Sequence, residues 1–249
     1  VQSYCYMSLK KFIKLSYKYY KGSADTKPDL KEVFSFIHEL DKTRSKKIQM
    51  QWQQYPVACK VYKGQSYAEN LKNNTFKENT FGHDLQQWFR EDNYDLFKES
   101  IDTVITENEL EAKFWEHHTF QHDVIHYLNE YDTSPIGEVM VISFNLAKEW
   151  RWSYFAILFS SLFIALRNTF TKGGWKKIKY APVLVYIRLV LEGYKKGKRA
   201  KWFMAVDFEN LYNLQTINVK KLLDVEPSVY WMHIKPRWTK LHQHYKQQQ

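Results

Sequence analysis

Four side chains in one short stretch have the chemistry of a metal site: His122, Asp123 and His126 in "HDVIH", and Glu138 beyond a turn. On a helix, residues four apart project from the same face, so His122 and His126 could share one ion. Asp123 is adjacent. It could reach the same ion from the flank or orient an imidazole from behind. The turn at Tyr131–Pro135 reverses the chain and could return Glu138 as an oxygen ligand from the next helix. Two imidazoles with one or two carboxylates suit Zn²⁺, Fe²⁺, Co²⁺ or Mn²⁺ better than Ca²⁺, and so few ligands leave room for water or substrate. The competing reading is a solvated helix face that happens to carry two histidines.

Neighbouring residues could widen or imitate this group. His117 and His118 lie about one turn before His122. His83–Asp84 copies the His–Asp pair, but no histidine follows at i+4. With Asp207, His83 could be fitted to a phosphohydrolase of the separate-histidine-plus-His-Asp type, a weaker assignment. No nucleophile elbow, phosphate loop or dinucleotide fingerprint is present, and "FTKGGWKK" lacks the phosphate-loop spacing.

The elements that must position these groups read as helices throughout, giving an all-α fold. Only eight Gly and six Pro in 249 residues favour long uninterrupted elements. Thr106 and Glu109 form a capping-box pattern opening the helix that carries the histidines. Ser134 and Pro135 suit the N-cap and first position of the next, which carries Glu138. Further helices are expected around "LKEVFSFIHEL", around "MQWQQYPVACKVY", after Gly82 with Leu85, Trp88 and Phe89 inward, after Arg151, and from Pro182. "WSYFAILFSSLFIAL" is apolar all round, as a helix buried on every side or lining a greasy tunnel would be, yet shorter than the roughly 20 residues of a bilayer span.

Three segments are expected: a basic amphipathic arm over 1–41, a helical domain over 42–228, and a tail over 229–249. The net charge is +10 and the aromatic share 17%. These point to an anionic partner and to wide apolar walls in a core or ligand cavity. Cys5 and Cys59 form no disulfide framework, which favours a reducing compartment.

His122, Asp123, His126 and Glu138, with eleven residues between the last two, resemble the signature of the coenzyme Q (ubiquinone) biosynthesis protein four family. "NTFGHDLQQWFRED" resembles that family's upstream helix. "EGYKKGKRAKWFMAVDFENLYNLQTINVKKLL" is similar to its C-terminal block, through Gly197, Arg199, Ala200, Asp207, Phe208 and Glu209. The likeness runs from about Glu78 to Asp224. Where the family often has small residues after the second histidine, this chain has Asn129 and Glu130.

The resemblance implies a single helical domain with a lipophilic pocket and a basic membrane-facing surface. It also implies a divalent ion, zinc first, held by His122, Asp123, His126 and Glu138. Implied too are oxidative C1 decarboxylation of a polyprenylated hydroxybenzoate-type precursor and organisation of the biosynthetic complex. The expected partners are that precursor or another isoprenoid lipid, an anionic membrane surface, other quinone-biosynthesis proteins and a second copy in a homodimer, but not nucleic acid. The expected location is peripheral, on the matrix side of the mitochondrial inner membrane in a eukaryote or the cytoplasmic face of a bacterial membrane. The alternative is a non-enzymatic lipid-binding or assembly subunit.

Overall fold

The computed structural model describes residues 30–62, 67–91, 109–171 and 182–236, and these hold helices and no strand. The helices are α1 (Leu30–Trp52), α2 (Pro56–Tyr62), α3 (Tyr67–Asn73), α4 (Phe81–Glu91), α5 (Glu109–Asn129), α6 (Pro135–Leu146), α7 (Trp152–Thr171) and α8 (Pro182–Arg199). Two 3₁₀ turns, Phe203–Ala205 and Phe208–Leu211, lead to α9 (Thr216–Leu222), and a last helix, α10, covers 229–236. The all-α expectation is met. Residues 1–29 of the expected basic arm, Thr106 of the capping box and the "LHQHYKQQQ" tail lie outside the described residues.

The tightest packing is between α6 and α8, and it depends on two glycines one turn apart. A Cβ on Gly197 would stand 2.0 Å from the Phe144 carbonyl oxygen, and one on Gly193 would stand 2.7 Å from that of Met140. Neither distance is possible for a side-chain atom, so bare backbone at both positions lets the helices approach this closely. Ser143 and Phe144 of α6 are buried along this seam. On the other side α6 meets α5, whose Phe114, Phe120, Val124, Ile125 and Leu128 are all buried.

Helices α2, α3 and α4 cover α5, and the C-terminal turns pin them in place. Asp207 accepts from Tyr67 Oη at 3.1 Å and pairs with Lys60, while Glu209 pairs with Lys60 at 3.7 Å and accepts from Asn70. The first two N–H groups of α4 have no partner within their own helix. Phe81 N instead donates to Leu214 O at 2.7 Å and Gly82 N to Tyr212 O at 2.9 Å. The acidic residues of the C-terminal block thus clasp α2 and α3, a structural role.

Two elements depart from the sequence reading. Helix α1 continues through 41–52, where the pattern is polar and Gln- and Lys-rich. Its inward stripe is Asp41, Ser45, Ile48 and Trp52, helical in spacing but half polar, so a search for apolar periodicity passes over it. Helix α7 is not buried on every side. Tyr154, Ala156, Ile157 and Ser160 face inward, whereas Phe159, Phe163 and Phe170 are exposed.

Candidate metal centre

Helix α5 is buried along most of its length, polar residues included, so its histidines are held in fixed surroundings. It ends at a reversal built by specific bonds. Glu130 takes a left-handed backbone conformation, φ 59°, and Tyr131 N donates to His126 O at 3.0 Å. Lys220 of α9 pairs with the Glu130 carboxylate at 2.7 Å, and Trp231 of α10 donates to its carbonyl at 3.1 Å. Asp132 Oδ1 then accepts from Ser134 N at 3.2 Å and from its hydroxyl at 2.5 Å.

Ser134 is the N-cap of α6, as expected. Its backbone is extended, φ −72° and ψ 160°, and its oxygen accepts from Gly137 N at 3.4 Å, with Pro135 opening the helix. Gly137 is required, because a Cβ there would lie 1.8 Å from the Asp132 carbonyl oxygen. The residue after it is Glu138. The tight turn therefore sets that carboxylate against the histidines of α5.

His122 Nε2 lies 3.1 Å from Glu138 Oε2, His126 Nε2 lies 3.2 Å from Glu138 Oε1, and the two Nε2 atoms are 3.2 Å apart. The three residues form a group able to hold a metal ion, the only such group among the described residues. Bonds of about 2.1 Å from a common ion put neighbouring donors roughly 3.0 Å apart in an octahedron and roughly 3.4 Å apart in a tetrahedron. The observed separations fall in that interval. The donor set, two imidazole nitrogens and one carboxylate, fits a borderline divalent cation. The His126 side chain is fully buried, while those of His122 and Glu138 are 24% and 36% exposed, so the group opens on one side.

Electrostatics favour an anionic Glu138. Burial raises its pKa, but the imidazoles of His126 and His122 outweigh burial and hold it well below the usual carboxylate range. Asp123 is 3% exposed and is not a member of the three-residue group. Burial, opposed by His122 and reinforced by the Glu138 charge, pushes its carboxyl up to about 7.

The other candidate histidines, His83, His117 and His118, are engaged elsewhere. His117 stacks on Trp52, ring centroids 5.2 Å apart, and its Nε2 donates to Met204 O at 3.0 Å. His83 lies 3.3 Å from Asp84, whose other oxygen accepts from Thr216 at 2.7 Å. Asp207 belongs to the clasp on Lys60 and Tyr67, so neither His83 nor Asp207 belongs to the His122–His126–Glu138 group.

His118 enters a buried charged network that the sequence did not reveal. Its Nε2 lies 3.0 Å from Tyr154 Oη and 3.3 Å from Glu149 Oε2. Glu149 pairs with Arg151 at 3.0 Å and accepts from Trp202 Nε1 at 2.9 Å. Arg151 donates to Ser45 at 3.1 Å and faces the Trp115 ring at 5.1 Å, and Asp41 accepts from both the backbone and the hydroxyl of Ser153. Burial disfavours the Glu149 charge, but Arg151 overcomes this and lowers the carboxyl pKa. This network ties α1 to the start of α7 and, through His118, to α5. Its members are scattered from residue 41 to 202 and have no common spacing by which a sequence could disclose them.

No protein-family model matches the sequence, and no curated protein matches it. Among solved structures, the crystal structure of a "Putative ubiquinone biosynthesis protein" from Nostoc punctiforme PCC 73102 is similar in fold. The TM-score is 0.56 at 16% identity, over 85% of this chain and 93% of that one.

Proposed function

We propose that this protein acts in ubiquinone biosynthesis, replacing the C1 carboxylate of a polyprenylated hydroxybenzoate-type precursor by hydroxyl. The observation that carries the reading is the convergence of His122, His126 and Glu138 at 3.1–3.2 Å, open on one side, in a fold like that of the Nostoc protein. Overall, the ring carboxylic acid, dioxygen, two electrons and two protons give the phenol, carbon dioxide and water, with the electrons supplied by an external reductant. A bound divalent ion, zinc being the first candidate, would supply Lewis acidity towards an oxygen of the aromatic headgroup.

The chain's own residues prepare that place. Glu138 stays ionised beside two imidazoles, so the group presents a fixed negative oxygen and two nitrogen donors. Fully buried His126 excludes water from the inner side, and the partly exposed His122 and Glu138 face the side from which a headgroup would enter. Buried Asp123, next to His122 in the chain, adds negative charge to the surroundings of the site when ionised. A substrate with a long prenyl tail is dissolved in lipid, so the protein works at a membrane surface. In a eukaryote that surface is the matrix side of the mitochondrial inner membrane, in company with other quinone-biosynthesis proteins.

A non-enzymatic lipid-binding or assembly subunit is the second reading, favoured by the exposed apolar surface of α7 and α8, which the chemistry does not need. The two are separated by incubating metal-loaded protein with the prenylated acid, a reductant and ¹⁸O-labelled dioxygen. Catalysis predicts loss of the carboxyl carbon and one labelled oxygen in the phenol. Binding of the acid without conversion under any divalent ion overturns catalysis and leaves the second reading.

A further inference from the structure

Six large apolar side chains of α7 and α8 are open to solvent, from Ile187 at 42% to Phe170 at 60%. On α7 they are Phe159, Phe163 and Phe170, and on α8 Leu184, Ile187 and Leu191. The two helices run in opposite directions across one seam. Val183 N at the start of α8 donates to Thr169 Oγ1 near the end of α7, and Tyr186 Oη reaches back to Leu158 O.

At about 100° per residue, the exposed stripe of each helix lies roughly a quarter to a third of a turn past that seam, in the direction of increasing residue number. Because the chains run oppositely, two rotations of the same sign emerge on the same side. The stripes therefore form one apolar face.

Most of the charge on α7 and α8 is positive. Helix α7 contains no acidic residue, and α8 contains only Glu192, which is bonded to Ser228. Against it stand Arg188, Lys195 and Lys198 along the exposed side of α8, with Arg188 stacked 3.7 Å over the Tyr230 ring. A second copy docking through the same face would bring these cations together in a chain of net charge +10. An anionic lipid surface complements both features: phenyl rings reach the acyl boundary while ammonium and guanidinium groups stay with the phosphates. No helix among the described residues is long and apolar enough to cross the bilayer.

We infer that the α7–α8 face docks the protein on an anionic bilayer through Phe159, Phe163 and Phe170, with Arg188, Lys195 and Lys198 at the headgroups. The docking needs neither metal nor quinone precursor.

The test is flotation of the full chain with vesicles of phosphatidylcholine, with and without phosphatidylglycerol, with no precursor present. Wild-type protein is expected to float with the anionic vesicles. F159S/F163S should reduce partitioning by at least about tenfold. K195E/K198E should reduce it by at least about 25-fold, about fivefold for each cation removed. The altered residues are exposed, so both variants should melt with the wild type; should the phenylalanine pair unfold, the lysine pair still decides. H122A/E138A should float unchanged, which separates docking from the metal reading. Wild-type protein that fails to float, or variants that float like it, overturn the inference. So does a wild-type dimer that the variants dissociate while vesicle binding stays intact.

Discussion

Replacing Gly197 by alanine tests the closest contact in the fold. The added methyl would sit 2.0 Å from the Phe144 carbonyl oxygen, 2.7 Å from its carbon and 2.8 Å from the Phe144 Cα. All three are backbone atoms of α6, so no rotamer change can clear the space. Ordinary contact requires the helices to part by about 1 Å along a seam packed to crystal density. Overpacking of this kind costs about 1–3 kcal/mol, at the upper end when backbone must move. Alanine returns about 1 kcal/mol through its better helix propensity. The net loss is about 2 kcal/mol, which in a chain of this size lowers the melting temperature by about 4–8 °C. Gly193→Ala, with its oxygen neighbour at 2.7 Å, should cost less. Calorimetry of the two single variants checks the order. If G197A melts at or above wild type, α6 and α8 do not approach as described.

Two further perturbations probe the buried polar groups. Burial, partly offset by the bond to Met204, lowers the His117 pKa to about 4, so between that value and about 6.5 the unfolded chain binds more protons than the folded one. Stability is then complete above pH 6.5 and lost as pH falls through the window, by about 2 kcal/mol between pH 7 and pH 5. Denaturant titrations of wild type and His117→Gln check this, and equal slopes with pH would refute it. Glu149→Gln removes the ion-pair partner of the fully buried Arg151 and should cost about 3–5 kcal/mol. Adding Arg151→Met should recover part of that loss, and a double variant less stable than the single one would show that the pair is not coupled as drawn.

The residues that local chemistry dictates were legible in the sequence. Ser134 and Pro135 announce the start of α6 because an N-cap oxygen and a proline without an N–H satisfy the needs of a helix's first turn. His122 and His126 announce one helix face because their spacing is fixed by the helix itself. Glu138 could be assigned to them because the turn between is short. What long-range packing decides was not legible. Helix α1 hides its inward face behind Asp41 and Ser45, polar residues buried because Ser153 of α7 and Arg151 just before it meet them. Gly193 and Gly197 look like breaks in a basic helix, and only the position of α6 explains them. The apolarity of α7 says that the helix avoids water, and not whether core, lipid or a partner takes up each side.

Whether His122, His126 and Glu138 hold one divalent ion can be measured directly. Elemental analysis of the full chain, purified without chelator and dialysed, should give about one divalent ion per chain. H126A should lose it, since its nitrogen is the fully buried donor of the three. A wild-type protein free of metal that takes up none from zinc, iron or manganese, or an H126A variant that keeps the full complement, would contradict the account.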